Sequence, residues 1–504
     1  MGEAGGKRPA RVRLRQNPAF VRFWLASTVS DFGTYITTLA VSVLILVTMD
    51  GTALDQGLVN AARWAPYLLF GLAAGIWVDR FPRRTVLVAG DLGRGLILAA
   101  VCAAAAAGFL TAPWLMILMF AFGTLALTSD AAYQSLLPRL VPRPLLTQAN
   151  ARLQQSDTVA QTTGSAAAGG LVALVSAPFA LLVDAASYLL SAVILLALKP
   201  EARQEPEARQ EPDAGQEQDA GQRNGPDPAK DRFLFRAAEG LRWVYGHPYL
   251  APMALSTHIW FIGSAVLGAV LPAVILKDLG MGPAGLGLVL GCAGVGAVIG
   301  TTFSARLGSR WGTGRTIIAA RVIQPAAIAL VALAPLAAGG HGPGGSLPEW
   351  RPELWWALAL AGGGQLLFGA AMGLEGPLEM GYRQAVTPDR LLARMSATMR
   401  SANRGMIVLG APLGGLIAAA AGAGTALWAS CGLLLLAAVV LVFSRFRYAG
   451  EDQYLTGEPS GQAGPAGRQD RQDRQDRQDR QDRQGSGCSR SRQRRRWRGC
   501  FPSP

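Results

Sequence analysis

The sequence predicts an all-α polytopic membrane protein, with twelve transmembrane helices built as two six-helix bundles. Three observations carry that expectation. Half of the 504 residues are hydrophobic and 16% are charged, whereas ordinary soluble domains carry about 25% charged residues. The apolar residues come in long runs: 171–198 holds one acid and no base, and 427–443 holds no charge. A bilayer core takes about 20 apolar residues per helix, and the chain offers about twelve stretches of that kind. Finally, the loops between these stretches alternate sharply in charge.

The first span, 23–49, follows a basic segment, 1–22, that lacks the short apolar core and cleavage site of a secretory signal. The next five spans are read at 58–78, 86–108, 113–132, 158–176 and 178–198, closing a first bundle over 23–198. The stretch 199–251 is rich in Glu, Gln, Arg and Pro and repeats EARQEP and DAGQ. It cannot bury enough apolar surface to offset the entropy of ordering, so it reads as a flexible cytoplasmic linker. Near its end, Phe233, Leu234, Leu241, Trp243 and Val244 give 233–246 the pattern of a short amphipathic helix. The second bundle, 252–447, takes spans at 252–276, 284–305, 316–337, 354–375, 403–421 and 424–444. The tail, 448–504, repeats an Arg-Gln-Asp triplet and ends in a basic run, which reads as a disordered segment drawn to anionic lipid.

Mapping the net charge of +14 removes its resemblance to a nucleic-acid signature. Excluding linker and tail, 20 Lys and Arg residues fall on the side of the N-terminus against two, Lys277 and Arg351, on the other. The positive-inside rule then places both termini in the cytoplasm, in agreement with an even number of spans. The five cysteines show no paired spacing and the three histidines lie far apart, so neither a disulfide framework nor a metal site is expected. No His-Glu-x-x-His, Gly-x-Ser-x-Gly or Walker sequence is present; an enzyme or ATP-driven pump is not expected, and no cofactor beyond a proton gradient is called for. The glycines at 71/75, 169/170, 287/291, 294/296/300 and 410/414 read as close helix packing in a membrane. The expected partners are a small-molecule substrate and the bilayer, with no nucleic acid and no obligate protein partner.

The halves echo each other. Tyr133 opens a Pro/Arg loop and a polar helical stretch before Gly169-Gly170, and Tyr382 opens a comparable sequence before Gly414-Gly415. Repeated bundles can rock about a central site, which gives alternating access and makes transport the expected function.

After the second span comes Gly75-Ile-Trp-Val-Asp79-Arg80-Phe81-Pro82-Arg83-Arg84. This resembles the loop signature of the major facilitator superfamily, with Pro82 in the place of a glycine. Asn17–Ser27, Trp64–Arg84, Gly90–Gly95, Leu140–Leu153 and Val183–Ala192 resemble the branch of bacterial exporters that includes the enterobactin exporter and macrolide-efflux proteins. The resemblance implies the major facilitator fold, a bacterial cell membrane and proton-driven antiport of a small amphipathic compound such as a drug, antibiotic or siderophore-like metabolite. An importer, or a transport-inactive receptor or scaffold, is the alternative.

An ionisable side chain inside a span is costly, which makes each one a functional candidate. Asp31 leads: nine residues beyond Arg22, it sits about 13 Å into the membrane, with no base within a helical turn. Asp184 in the sixth span follows. Asp91 and Arg94 share one face of the third span and suit mutual pairing. Arg63 and Gln365 complete the expected coupling and substrate cavity, with His258 and Trp260 as further possible lining residues. Glu375 and Glu379 are expected to pair with arginines of the following loop. For the cytoplasmic gate, Gly75, Asp79, Arg80, Arg83 and Arg84 are expected to meet Arg404. Asp79 would accept hydrogen bonds from the N-terminus of the eleventh span at 402–405, where a helix dipole favours an anion.

Overall fold

The computed structural model describes residues 14–78, 80–142, 145–198, 238–338 and 352–449, all within one compact unit. The expected linker falls outside the described residues up to 237 and is helical over 238–246, and the expected tail falls outside them from 450 onward. Among the described residues the regular structure is helical.

The first half comprises α1 (Pro18–Val43), α2 (Ala53–Val78), α3 (Arg83–Ala106), α4 (Ala112–Leu140), α5 (Leu146–Val159), α6 (Ser165–Val175) and α7 (Ala177–Leu196). A π-helical turn at Ala160–Gly164 joins α5 to α6, so the two form one interrupted span. The second half comprises α8 (Leu250–Ala273), α9 (Gly282–Trp311), α10 (Thr313–Ala337), α11 (Pro352–Val386), α12 (Asp389–Ala421) and α13 (Ala423–Val442). Eleven helical segments among the described residues are long and apolar enough to cross a membrane. The remaining expected span is α2, 26 residues long, which carries Asp55, Arg63 and Pro66 and packs between α4 and α12.

Local chemistry sets the helix ends. Asn17 caps α1 by accepting from the backbone of Ala19 at 3.1 Å and Phe20 at 3.2 Å, and Pro18 occupies the first turn, where its missing N–H costs nothing. Arg22 and Arg84 both reach the carboxyl end of α7, donating to the carbonyls of Ala197 at 2.8 Å and Leu195 at 3.1 Å. Cations there meet the negative end of the helix dipole.

The internal repeat is visible in detail. Helices α1 and α8 both end in a π turn, Leu44–Thr48 and Val274–Asp278. A single residue at φ 89° turns the chain between α6 and α7 and again between α12 and α13: Ser176 in the first half and Gly422 in the second. The packing repeats too: α1 on α7, α3 on α7 and α2 on α4 have counterparts in α8 on α13, α10 on α13 and α9 on α11.

Several polar ends are longer than the sequence suggested. The fourth span runs on through Tyr133 to Leu140, the tenth through Tyr382 to Val386, and the eleventh begins at Asp389 rather than 403. Hydropathy marks where a helix leaves the bilayer core, not where it stops. At 33 residues α12 extends about 50 Å, well beyond a core of about 30 Å.

We call the side bearing Leu14 and Ala449 the proximal face, and the side bearing the α1–α2 turn the distal face. On the distal side one hydrophobic core joins both halves, with Leu39, Leu46 and Phe122 in the same cluster as Leu271, Ile275 and Leu286. Proximally the cores are separate: Phe23, Leu87, Leu136 and Leu153 in the first half, Leu250, Ile317, Tyr382 and Phe446 in the second. The halves meet along two seams, α2 with α12 and α5–α6 with α9. At Gly169 an added Cβ would lie 2.7 Å from the Cα of Gly287, so only glycine permits that approach.

Candidate substrate cavity and bundle seams

A cavity of about 410 Å³ lies inside the first half, walled by α1, α2, α3, α4, α5 and α7. It falls within the range of small-molecule sites, about 300–1,000 Å³. Asp31 of α1 faces it, and no hydrogen bond to a described residue holds its carboxylate. Asp91 and Arg94 also line it as an ion pair within α3; Ser191 donates to Asp91 at 2.6 Å, and the Arg94 guanidinium stacks over Tyr188 at 4.4 Å. Arg63 is held over the rings of Phe122 at 5.3 Å and Trp64 at 5.8 Å, with a long contact to Thr38 Oγ1 at 3.4 Å. The structure thus brings Asp31, Asp91, Arg94 and Arg63 together.

Two cavity acids escaped the sequence reading. Asp130 accepts from Tyr67 OH at 2.7 Å, and Asp157 accepts from Tyr35 OH at 3.0 Å and from Gln154 at 3.3 Å. Asp130 was hidden by proximity to an assigned span end, yet α4 continues ten residues past it. Asp157 falls one residue before the span read at 158–176, in helix α5, which carries the span back to Leu146. Helical continuity of the polar stretch was the available signal for both.

Asp184 and Gln365 lie elsewhere. Asp184 is fully buried between α1 and α7, where Thr37 donates to one carboxylate oxygen and Ser187 to the other at 2.8 Å. The neighbouring Gly33 leaves room for it, since a Cβ there would fall 1.9 Å from Asp184 Oδ1. Full satisfaction by two hydroxyls makes it an interhelical anchor, away from the cavity wall. Gln365 sits on α11 in the second half, 3% exposed, and its amide nitrogen has no partner among the described residues. His258 and Trp260 are likewise packed in that half: His258 between Tyr245 at 2.7 Å and Asn403 at 2.8 Å, Trp260 against Gln324 and Phe368.

The second half carries a buried ionic cluster. Arg321, 2% exposed, approaches Glu375 at 3.0 Å and Glu379 at 3.3 Å, and Arg383 pairs with Glu379 one turn away. The expected partner of Glu379 in the following loop therefore lies within α11 itself. Arg321 was overlooked, although a lone base in the span read at 316–337 was the signal.

The gate motif needs correction. Asp79 lies outside the described residues, and Arg80 is exposed at the turn after α2. A Cβ at Gly75 would meet nothing within 4 Å. Arg83 opens α3, and Arg84 holds the end of α7 in its own half. Residues 402–405 are not a helix N-terminus: they lie inside α12, their N–H groups engaged along the helix. Arg404 stacks over Trp64 at 4.0 Å and Gly405 lies against Leu68, ten residues before the end of α2 and so about 15 Å from it. The helix N-terminus expected at 402–405 is therefore absent there, while the Asp79 side of the expected latch lies outside the described residues.

Between the halves, proximal to the seam, opens a cleft of about 450 Å³ lined by Gly71, Gln134, Gln384, Ser396 and Arg400. Tyr67 and Asp130 line both cleft and cavity, so the two spaces adjoin. Across the distal face Lys277 donates to Asp50 Oδ1 and to the Gly51 carbonyl, each at 2.9 Å. That hydrogen bond and charge hold the exposed Asp50 carboxyl below its ordinary range.

Comparison with known proteins agrees with this architecture. The family described as transmembrane secretion effectors, of the MFS type, matches over residues 12–460. An uncharacterized MFS-type transporter of Bacillus subtilis (strain 168), YfiS, is 25% identical over 193 residues, 38% of this chain and 44% of that protein, so the alignment spans less than half of the relative. Among solved structures, a bacterial homologue of the iron transporter ferroportin, inward-facing, superposes with TM-score 0.59 at 16% identity, covering 84% of this chain and 98% of that one. A point mutant of the nucleoside transporter NupG gives 0.61 at 11%, covering 84% and 99%, and a bacterial homologue of the lysosomal transporter Spinster, inward-facing and unoccupied, gives 0.58 at 14%, covering 88% and 99%. At such identities these likenesses bear on the fold alone. With the family match spanning most of the sequence, the chain belongs to the transmembrane secretion effector family of the major facilitator superfamily of membrane transporters.

Proposed function

We propose that this protein is a secondary active transporter that exports a small amphipathic compound by alternating access, exchanging it for protons. The observation that carries this reading is Asp31: a carboxylate well inside a span, facing a cavity of ligand size and held by no described hydrogen bond. Such a group is free to take up a proton or a ligand in turn, whereas the satisfied Asp184 is not. The access route supports the same reading. The cavity adjoins the inter-bundle cleft at Tyr67 and Asp130, and the distal side is sealed by a common core. With both termini in the cytoplasm of a bacterial cell, as the basic loops argue, this conformation faces inward. Rocking about the α2–α12 and α6–α9 seams would then open the distal face. The family's description as secretion effectors favours export over import.

The test is a susceptibility panel of toxic compounds in an efflux-deficient bacterial host. Empty vector, wild type and Asp31→Asn are compared at matched membrane expression. Export predicts that wild type raises tolerance to some compounds and that Asp31→Asn loses the gain. Equal tolerance in wild type and vector across a chemically broad panel counts against multidrug efflux; a well-expressed Asp31→Asn with full activity removes Asp31 from coupling.

A further inference from the structure

The geometry points to a cationic amphiphile, rather than an anionic or siderophore-like one, as the compound held in the first-half cavity. This rests on the transport reading above and deepens it. Four aspartates, Asp31, Asp91, Asp130 and Asp157, line the space against two arginines, Arg63 and Arg94. Acids still outnumber bases when Arg404, stacked on Trp64 and Tyr67 from the other half, is counted with them.

Engagement matters more than number. Arg94 is taken up by Asp91, by the Gly90 carbonyl at 3.3 Å and by the face of Tyr188. Arg63 is held over Trp64 and Phe122. An anion would have to draw Arg94 away from Asp91, or meet Arg63 in a space lined by four carboxylates. A cation meets no such obstacle: Asp31 holds no described hydrogen bond, and the neutral donors on Asp130 and Asp157 leave the charge of those two carboxylates uncompensated. The walls supply the apolar half of the recognition. Trp64, Tyr67, Phe122, Tyr133 and Tyr188 line the space, and their rings supply apolar surface for the body of an organic ion.

The second half does not offer the same chemistry. Among the described residues its ionic cluster, Arg321, Arg383, Glu375 and Glu379, is balanced in charge and paired within itself. The cation is therefore assigned to the first half, with the second acting as the body against which it rocks.

The test uses two probes of one shape and opposite charge, tetraphenylphosphonium and tetraphenylborate. Each is titrated onto full-length protein in nanodiscs and corrected for uptake by protein-free discs. The expected result is binding of the phosphonium at least about tenfold tighter than the borate, with Asp31→Asn weakening the phosphonium by about tenfold or more and narrowing the discrimination. Asp157→Asn is a second variant with the same expectation, so that failure of one to insert leaves the other to decide. Equal binding, tighter borate binding or no phosphonium binding overturns the assignment. Because the susceptibility panel is read separately, resistance to neutral or anionic compounds alone would refute the cation and leave export standing. Absence of both phosphonium binding and resistance would remove both.

Discussion

Closure of the distal face depends on the seam between α6 and α9, and its narrowest point offers a quantitative test. In Gly169→Ala the new methyl would stand 2.7 Å from the Cα of Gly287 and 2.8 Å from the carbonyl oxygen of Pro283. Both are backbone atoms, so no side-chain rotation relieves the contact. Ordinary carbon contacts need about 3.5–4.0 Å, so the helices must part by about 1 Å. Overpacking of this kind costs about 1–3 kcal/mol, but only while the distal face is closed. At about 1.4 kcal/mol per factor of ten, the equilibrium moves toward the distal-open state by about 5- to 150-fold. Double electron–electron resonance between spin labels at Thr111→Cys and Thr425→Cys, on the distal ends of the two halves in a background without other cysteines, reads the shift as growth of a longer distance. Gly287→Ala should act the same way, because its Cβ would fall 2.6 Å from the Cα of Gly169. Gly170→Ala, where a Cβ meets nothing within 4 Å, should leave the distribution unchanged. A well-folded Gly169→Ala with the wild-type distance distribution would refute the claim that this seam closes the distal face.

Removing Arg321 strands Glu375 and leaves Glu379 to Arg383 and Thr257 alone, and losing one partner of a buried ionic cluster costs about 3–5 kcal/mol. Arg321→Ala should therefore fall markedly in thermal stability, and substitution with Glu375→Gln and Glu379→Gln together should recover part of the loss; unaltered melting of Arg321→Ala contradicts the cluster's role. Burial holds the His247 imidazole below its ordinary value, and its Nδ1 accepts from the backbone of Tyr249 and Leu250 at 3.3 Å, capping α8. Its cap, of about 1 kcal/mol, is intact above the ordinary imidazole pKa and lost as pH falls through the lowered one; His247→Asn, which keeps an acceptor but does not titrate, should flatten that part of the pH–stability curve. Asp50 behaves oppositely: with its carboxyl held below the ordinary range, the pair with Lys277 persists above that range and is lost only as pH falls through the lowered value. The Thr111–Thr425 distances should thus be insensitive to this pair between about pH 5 and 8, while Lys277→Met should raise the distal-open fraction, most clearly at low salt where exposed charges are least screened.

Legibility in the sequence followed the solvent each segment faces. Lipid-facing runs such as α7 and α13 stand out because the bilayer demands unbroken apolarity. Asp31 stands out for the complementary reason, as a charge within such a run. What escaped lies where helices leave lipid for protein or water. The proximal turns of α4, α11 and α12 are held by packing and hydrogen bonds that hydropathy does not register, so Asp130 and the true start of α12 were missed. The expected helix end at 402–405 follows from that error and made an anion partner look natural there, whereas Arg404 faces Trp64. Pairing also hides from a linear reading. Asp91 and Arg94 were legible because they share one helix face, but Arg321 with Glu375 and Asp157 with Tyr35 join helices distant in sequence. Occupancy, which separates the satisfied Asp184 from the unheld Asp31, is a property of three dimensions alone.

Proton-driven export through the first-half cavity is tested most directly by transport into inside-out vesicles, whose lumen corresponds to the cell exterior. Radiolabelled tetraphenylphosphonium is offered outside while an acid-lumen gradient is imposed, with the membrane potential clamped. Wild type should accumulate the cation against its gradient, lose it when a protonophore collapses the pH difference, and fail to do so as Asp31→Asn. Accumulation that ignores the pH gradient, or that survives Asp31→Asn undiminished, would contradict the account.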